Sequence, residues 1–96
     1  MAIPTPEAGL SEPAEYREHL DQIDREMLIL LARRTQLAQR AARAEDRQGQ
    51  GSAPAREAAL LESRRAWASE LGLEKEAEVF FRTLLRLSRA SNSTEG

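Results

Sequence analysis

The chain has 96 residues, no cysteine, a single histidine and a formal net charge of −2 at pH 7. A chain of this composition forms no disulfide and holds no thiolate or histidine-cluster zinc site, and its nearly balanced charge argues against a nucleic-acid-binding surface. No apolar run is long enough to cross a membrane and the N-terminus lacks the apolar core of a signal peptide, so we expect a cytoplasmic protein.

The first predicted helix is long. Residues 1–13 are rich in proline and poor in apolar side chains, which predicts a disordered leader before a single domain at 14–92. Pro13 suits a first helical turn, and the helical pattern runs to about residue 47. Positions that recur at alternating spacings of three and four form its seam, and they are Leu20, Ile23, Met27, Leu30, Arg34, Leu37, Ala41 and Ala44.

The length of this helix has a structural consequence. At 1.5 Å per residue it would extend about 50 Å, whereas a compact domain of this size is roughly 30 Å across. The helix therefore projects beyond its own domain, and we expect a symmetric partner chain to cover its apolar seam.

Two shorter helices are predicted after a break that contains two glycines. The second helix runs from about Pro54 to about Leu71, where Gly72 is expected to terminate it as a left-handed C-cap. The third runs from about Glu74 to about Ala90, and a disordered tail is expected at 93–96. Trp67 and the two phenylalanines are expected in the core. The chain is predicted to be all-α, with no strand.

Charged residues interrupt this pattern. Arg34 occupies a seam position, and an arginine on a core face needs an anionic partner because its charge cannot be lost. Glu45, eleven residues later, returns to within about 20° of Arg34 on the helix, so the two share a face but lie too far apart to pair. Arg56 stands in a first helical turn, where cations are disfavoured, and a nearby anion would explain it.

The ordered set of charged and apolar segments resembles the all-helical chorismate mutases. The resemblance covers nearly the whole domain, and the segments that carry it are YREHLDQID at 16–24, LLARR at 30–34, PARE at 54–57, GL at 72–73 and FRTLLRLS at 81–88. It implies an intertwined homodimer of three-helix protomers that converts chorismate to prephenate with no cofactor and no metal.

The resemblance also implies roles for individual residues. Arg34 would hold one substrate carboxylate, Arg17 from the partner chain would hold the other, and Arg56 would support them at the pocket edge. Glu57 would accept a hydrogen bond from the C4 hydroxyl, and Ser88 would make a minor carboxylate contact. The shikimate pathway, aromatic amino acid biosynthesis and an activating partner enzyme from that pathway are further expectations of the family.

Two positions depart from the family pattern, both where the family contacts the breaking ether oxygen. Glu45 replaces a lysine, and Asn92 replaces a longer glutamine or glutamate. A charged Glu45 would oppose the negative charge that develops there, unless Glu45 is protonated, is offset by Arg43 or Arg47 after a helix kink, or meets a cationic substrate group.

Other functions therefore stay open. With Glu57, Glu45 could favour the ammonium of 4-amino-4-deoxychorismate as substrate, whereas isochorismate–pyruvate lyase activity is less supported because it also uses the missing lysine. The remaining alternative is a non-catalytic dimer that keeps the fold for binding or regulation.

Overall fold

The computed structural model describes residues 9–49 and 53–95, with side chains described at 9–49 and 53–90. Three helices follow one another in this part of the chain: α1 (Pro13–Gln48), α2 (Ala53–Ser69) and α3 (Glu74–Glu95). No strand occurs in the described ranges, which confirms the all-α prediction with one long N-terminal helix.

The start of α1 follows the sequence prediction. Pro13 occupies the first turn, where a missing N–H is tolerated, and the Glu12 N–H donates to the Glu15 carboxylate at 3.2 Å. The Tyr16 hydroxyl donates to the carbonyl of Leu10 at 2.6 Å and thereby ties the preceding residues to the helix. Most of the predicted leader, residues 1–8, lies outside the described residues.

Both inter-helix breaks use glycine in the left-handed region. Gly49 ends α1 with a φ of 63°, and the predicted loop at 50–52 lies outside the described residues. Gly72 has a φ of 70°, and the Leu73 N–H donates to the Ala68 carbonyl at 3.0 Å while the Gly72 N–H donates to Ser69 at 3.2 Å. This pair of bonds is a Schellman motif and confirms the predicted C-cap of the second helix.

The third helix is longer than predicted. The polar sequence from Ser91 to Glu95 stays helical, so the predicted end near Ala90 falls short of the observed one. Serine, asparagine and threonine have modest helix propensity and do not by themselves stop a helix, and no glycine or proline intervenes before Gly96.

The three helices of one chain pack unevenly against each other. α2 and α3 pack against each other, and α3 also contacts α1. The chain extends 54 × 27 × 17 Å with a radius of gyration of 17.0 Å, well above the roughly 12 Å expected for a compact domain of this length. No described helix is long and apolar enough to span a membrane.

The single chain has almost no core of its own. Among side chains that the structure describes, only Ala68 and Leu84 are buried. The prediction that Trp67 and both phenylalanines are core residues is wrong for the isolated chain, because Trp67 is 60% exposed, Phe80 is 46% exposed and Phe81 is only half-buried. Three helices of which one projects outwards offer too little surface to cover these side chains.

Candidate active site

Arg34 lies where α1 meets the other two helices. Its side chain is half-buried, and its guanidinium carbon stands 5.8 Å from the centre of the Phe81 ring on α3. Burial, followed by the positive charge of Arg64 on α2, lowers the pKa of Arg34. Arg34 forms no ion pair with a described residue. The described part of the folded chain thus supplies no anion for Arg34, and the prediction that this arginine needs one from elsewhere still stands.

Glu45 is paired with a cation from another helix. Its Oε2 lies 2.8 Å from the Nε of Arg56, which stands in the first turn of α2. The anion that was expected near Arg56 is thus Glu45. The suggested offset by Arg43 or Arg47 required a helix kink, but α1 is helical without interruption to Gln48, and the neutralising charge comes from α2 instead.

Glu57 also has a basic partner. Its Oε1 accepts a hydrogen bond of 2.7 Å from Arg89 on α3, and the Glu57 side chain is 25% exposed while that of Arg89 is 61% exposed. This ion pair fixes the orientation of the Glu57 carboxylate at the mouth of the space between the helices. Charged hydrogen bonds of this length are the stronger members of their class, although solvent weakens an exposed pair.

A cavity of about 390 Å³ gathers these groups at the junction of α1, α2 and α3. It is lined by five of the seven residues singled out from the sequence, together with Arg89 and small or apolar side chains. Those five are Arg34, Glu45, Arg56, Glu57 and Ser88. Three arginines against two glutamates leave the lining with one excess positive charge, and Arg34 is the arginine of this lining that has no ion pair with a described residue.

Of the other two predicted residues, Arg17 lies away from this cavity, and Asn92 is described only in its backbone. Arg17 is exposed near the start of α1, about 25 Å along the axis from Arg34, so it reaches no cavity of the same chain at that junction. Asn92 lies in α3 one turn beyond Ser88, but its side chain is outside the described residues.

Arg64 is a residue that the sequence reasoning missed. With Arg34 it lines a second cavity of about 450 Å³ next to the first, and both cavities are also lined by Ala38 and Ala41. A signal was present in the sequence: Arg64 stands three residues after Leu61 and four before Ala68, so it interrupts the apolar face of α2 as Arg34 interrupts that of α1.

The arrangement favours an organic anion. The described residues contain no group of histidine, aspartate or glutamate side chains placed to hold a metal ion. The cavity instead offers a half-buried cation and two oriented carboxylates, which suit a carboxylate and a hydroxyl of one small molecule.

Comparison with known proteins gives a family for the chain. Searches among curated proteins and among solved structures found no significant match. The family of chorismate mutase type II matches residues 16–93, which is most of the chain and covers all of α2 and nearly all of α1 and α3. The chain therefore belongs to the chorismate mutase type II family.

Proposed function

We propose that this protein is an isomerase that converts chorismate to prephenate. The reaction is an intramolecular rearrangement in which the ether C–O bond breaks as a C–C bond forms between the enolpyruvyl methylene carbon and the ring. No atom leaves and no proton is transferred. The enzyme needs only to hold the dianion in its folded, reactive shape and to stabilise charge on the ether oxygen.

The observation that carries this proposal is the cavity shared by Arg34, Glu57 and Ser88. The Arg34 guanidinium has no carboxylate partner among the described residues and is available to a substrate carboxylate. Arg89 holds the Glu57 carboxylate in place, where it can accept a hydrogen bond from the C4 hydroxyl of the ring. Ser88, on the same helix as Arg89, adds a neutral hydroxyl to the lining.

Glu45 shapes the proposed activity. Its ion pair with Arg56 offsets its charge without protonation, so it does not prevent a dianion from entering the cavity. It still leaves the ether oxygen without the cation that family members place there. We therefore propose a slow mutase when the protein acts alone, with Asn92 as a further candidate contact to the ether oxygen and with a partner enzyme of the shikimate pathway as a possible activator.

The active unit that we propose is a homodimer. Apolar side chains on the N-terminal half of α1 are left in solvent by the single chain, with Leu20, Leu28 and Ile29 all more than half exposed. A groove of about 480 Å³ lined by Met27, Trp67 and Phe80 is likewise almost wholly apolar. A second copy would cover both surfaces and would bring its own Arg17 towards the cavity as the second carboxylate clamp.

The amino-substituted substrate is less well supported than chorismate. An ammonium at C4 would need a carboxylate without a cation of its own, whereas Glu45 and Glu57 each hold an arginine at 2.8 and 2.7 Å. No observation favours lyase activity, and the unpaired Arg34 argues for ligand binding whether or not catalysis follows.

The test measures the loss of chorismate absorbance in the presence of the purified protein. The assay is run with the protein alone and with a partner enzyme of the shikimate pathway. We expect slow turnover alone and formation of prephenate in equal amount to the chorismate consumed. If neither chorismate nor its 4-amino analogue is consumed under either condition, the protein is a non-catalytic member of the family.

A further inference from the structure

Arg64 is an unusual residue for its place in the fold. It stands on the face of α2 that is turned towards α1 and the Phe81 ring, and its Nε is inaccessible to solvent and has no hydrogen-bond acceptor among the described residues. Its Nη1 donates to the Ser63 hydroxyl at 3.0 Å. A buried donor without an acceptor destabilises a fold by about 1–3 kcal/mol, and more when it is charged, so a leucine here would serve stability better.

Aromatic rings hold the guanidinium in position. The guanidinium carbon of Arg64 lies 4.6 Å from the centre of the Trp67 ring and 5.7 Å from that of Phe81. Arg34 uses the same Phe81 ring at 5.8 Å. Two arginines from different helices thus converge on one phenylalanine, and their positive charges repel each other across the cavity that they share.

The cavity that the two arginines share provides no anion. The second cavity is lined by Leu30, Leu37, two alanines and a third arginine, Arg33, but by no carboxylate. Neither Arg34 nor Arg64 forms an ion pair with a described residue. The two glutamates that line the neighbouring 390 Å³ cavity are held by Arg56 and Arg89. Glu76 lines the apolar groove that Arg64 also borders, but it forms no ion pair with Arg64. An anion that enters this cavity from solvent would relieve the repulsion between the two guanidiniums.

We propose that Arg34 and Arg64 of one protomer bind the same carboxylate group of the dianionic substrate, at the point where the two cavities meet. The identity of that dianion as chorismate rests on the proposed function above. Two guanidiniums donate more directional hydrogen bonds to one carboxylate than a single guanidinium does. Arg64 thereby adds a second cation to a site in which position 45 carries a carboxylate.

The first experiment compares the full-length wild-type protein with Arg64→Leu and Arg64→Lys. Arg65→Leu is the matched control, because Arg65 is the next residue of α2, is exposed and lines neither cavity. We expect Arg64→Leu to raise KM for chorismate about 10- to 100-fold, the range for a lost charged hydrogen bond. Arg64→Lys should lie between wild type and Arg64→Leu, and Arg65→Leu should match wild type.

Thermal unfolding separates binding from a structural role. Removing a half-buried guanidinium that has no ion pair with a described residue should leave Tm of Arg64→Leu equal to or above that of wild type, although substrate binding is weakened. A KM within twofold of the wild-type value overturns the proposal. A fall in Tm together with a loss of helical circular dichroism would show instead that Arg64 supports the fold, and this result also overturns it.

A double-mutant cycle tests whether the two arginines share one carboxylate. If they do, Arg34→Leu and Arg64→Leu remove overlapping interactions, and the double variant should raise KM by less than the product of the two single effects. Independent, multiplicative effects would place Arg64 on another part of the ligand and contradict the shared site.

A second probe keeps this inference separate from the proposed function. Succinate, a simple dicarboxylate, is added in increasing concentration while chloride is reduced to keep the ionic strength constant. The Tm of wild type and of Arg64→Leu is measured at each concentration. We expect succinate to raise Tm of wild type more than that of Arg64→Leu. If wild type neither consumes nor binds chorismate, the proposed function is wrong, but the succinate comparison still tests the anion site. Equal rises in Tm for the two proteins would overturn the proposal that Arg34 and Arg64 share a carboxylate.

Discussion

The two halves of α1 differ in what one chain provides for them. From about residue 34 to residue 45 the helix faces α2 and α3, and its inward side chains are half-buried around the 390 Å³ cavity. From residue 13 to residue 33 nearly every side chain is exposed, the apolar seam included. The same heptad-like pattern is therefore covered in part by the chain itself at one end, where Leu37 stays 59% exposed, and is left open at the other.

This difference shows how little of the seam one chain can use. The cavity half is organised by ion pairs and ring contacts between helices of one chain, so its geometry is present in the protomer. The open half holds large apolar side chains, such as Leu28 at 65% exposure, that monomeric proteins rarely place together in solvent. Folding and dimerisation are therefore expected to be one process for this half.

The largest effect is expected from a charge in the open half. Ile23→Glu would bury an unpaired carboxylate twice in a symmetric dimer, at several kcal/mol per copy, and should leave a monomer with little helix and no mutase activity. Analytical ultracentrifugation and circular dichroism measure both properties. Gln36→Glu adds the same charge at an exposed position of α1 and should behave as wild type. A dimeric, active Ile23→Glu protein would mean that the open half faces solvent.

Removing the positive charge of Arg34 from the cavity half should strongly weaken the binding of chorismate without destabilising the fold. Arg34→Leu loses the half-buried guanidinium that has no internal carboxylate, and we expect kcat/KM for chorismate to fall about 100- to 1,000-fold, as for a desolvated charge contact. Tm should not fall, because burial and Arg64 both disfavour the charged form of Arg34. Arg40→Leu, at an exposed position of the same helix, is the control. Activity of Arg34→Leu near that of the control would remove Arg34 from the site.

Glu45 differs from the other residues of the cavity half, because its replacement should increase catalytic activity. Glu45→Gln removes a negative charge from the cavity, at the place that the proposed function assigns to the ether oxygen, but retains an oxygen that can accept a hydrogen bond from Arg56. We expect kcat to rise several-fold and Tm to change little, since a half-exposed ion pair contributes at most about 1 kcal/mol. Steady-state kinetics with chorismate measures the change. An unchanged or lower kcat would show that Glu45 is adapted to its task or lies outside the reacting region.

The smallest effect is expected from the support of Glu57. Arg89→Gln weakens the 2.7 Å contact that orients the Glu57 carboxylate, and a two- to fivefold loss in kcat with little change in KM is expected for a contact so exposed. Arg86→Gln, one turn earlier on α3, provides the matched loss of charge. Equal kinetics for the two variants would mean that Glu57 needs no help from Arg89.

Much of the secondary structure follows from local rules. Pro13 at a helix start and Gly72 at a helix end act through backbone geometry, which a sequence displays directly. The end of α3 was harder to predict, because the polar residues after Ala90 neither favour nor stop a helix strongly.

The candidate site was only partly predictable. Helical periodicity placed Arg34 and Glu45 on one face, and both line the cavity. Periodicity within one helix does not say which side chain of another helix approaches, so the pairing of Glu45 with Arg56 and the approach of Arg64 to Phe81 required the folded chain. The exposure of Trp67 was missed for a similar reason, since the pattern marks apolar faces without saying whether the same chain covers them.

Phe81 couples the geometry of all three helices. Its ring, carried by α3, lies against one guanidinium from α1 and one from α2. It also packs edge-to-face with the Phe80 ring, with the two ring centres 5.1 Å apart. A small rotation of α3 would thus shift both cations at once, although α3 supplies neither of them. Substitutions or a bound protein on the exposed face of α3 could then tune ligand affinity from a distance, without any change in the residues that touch the ligand.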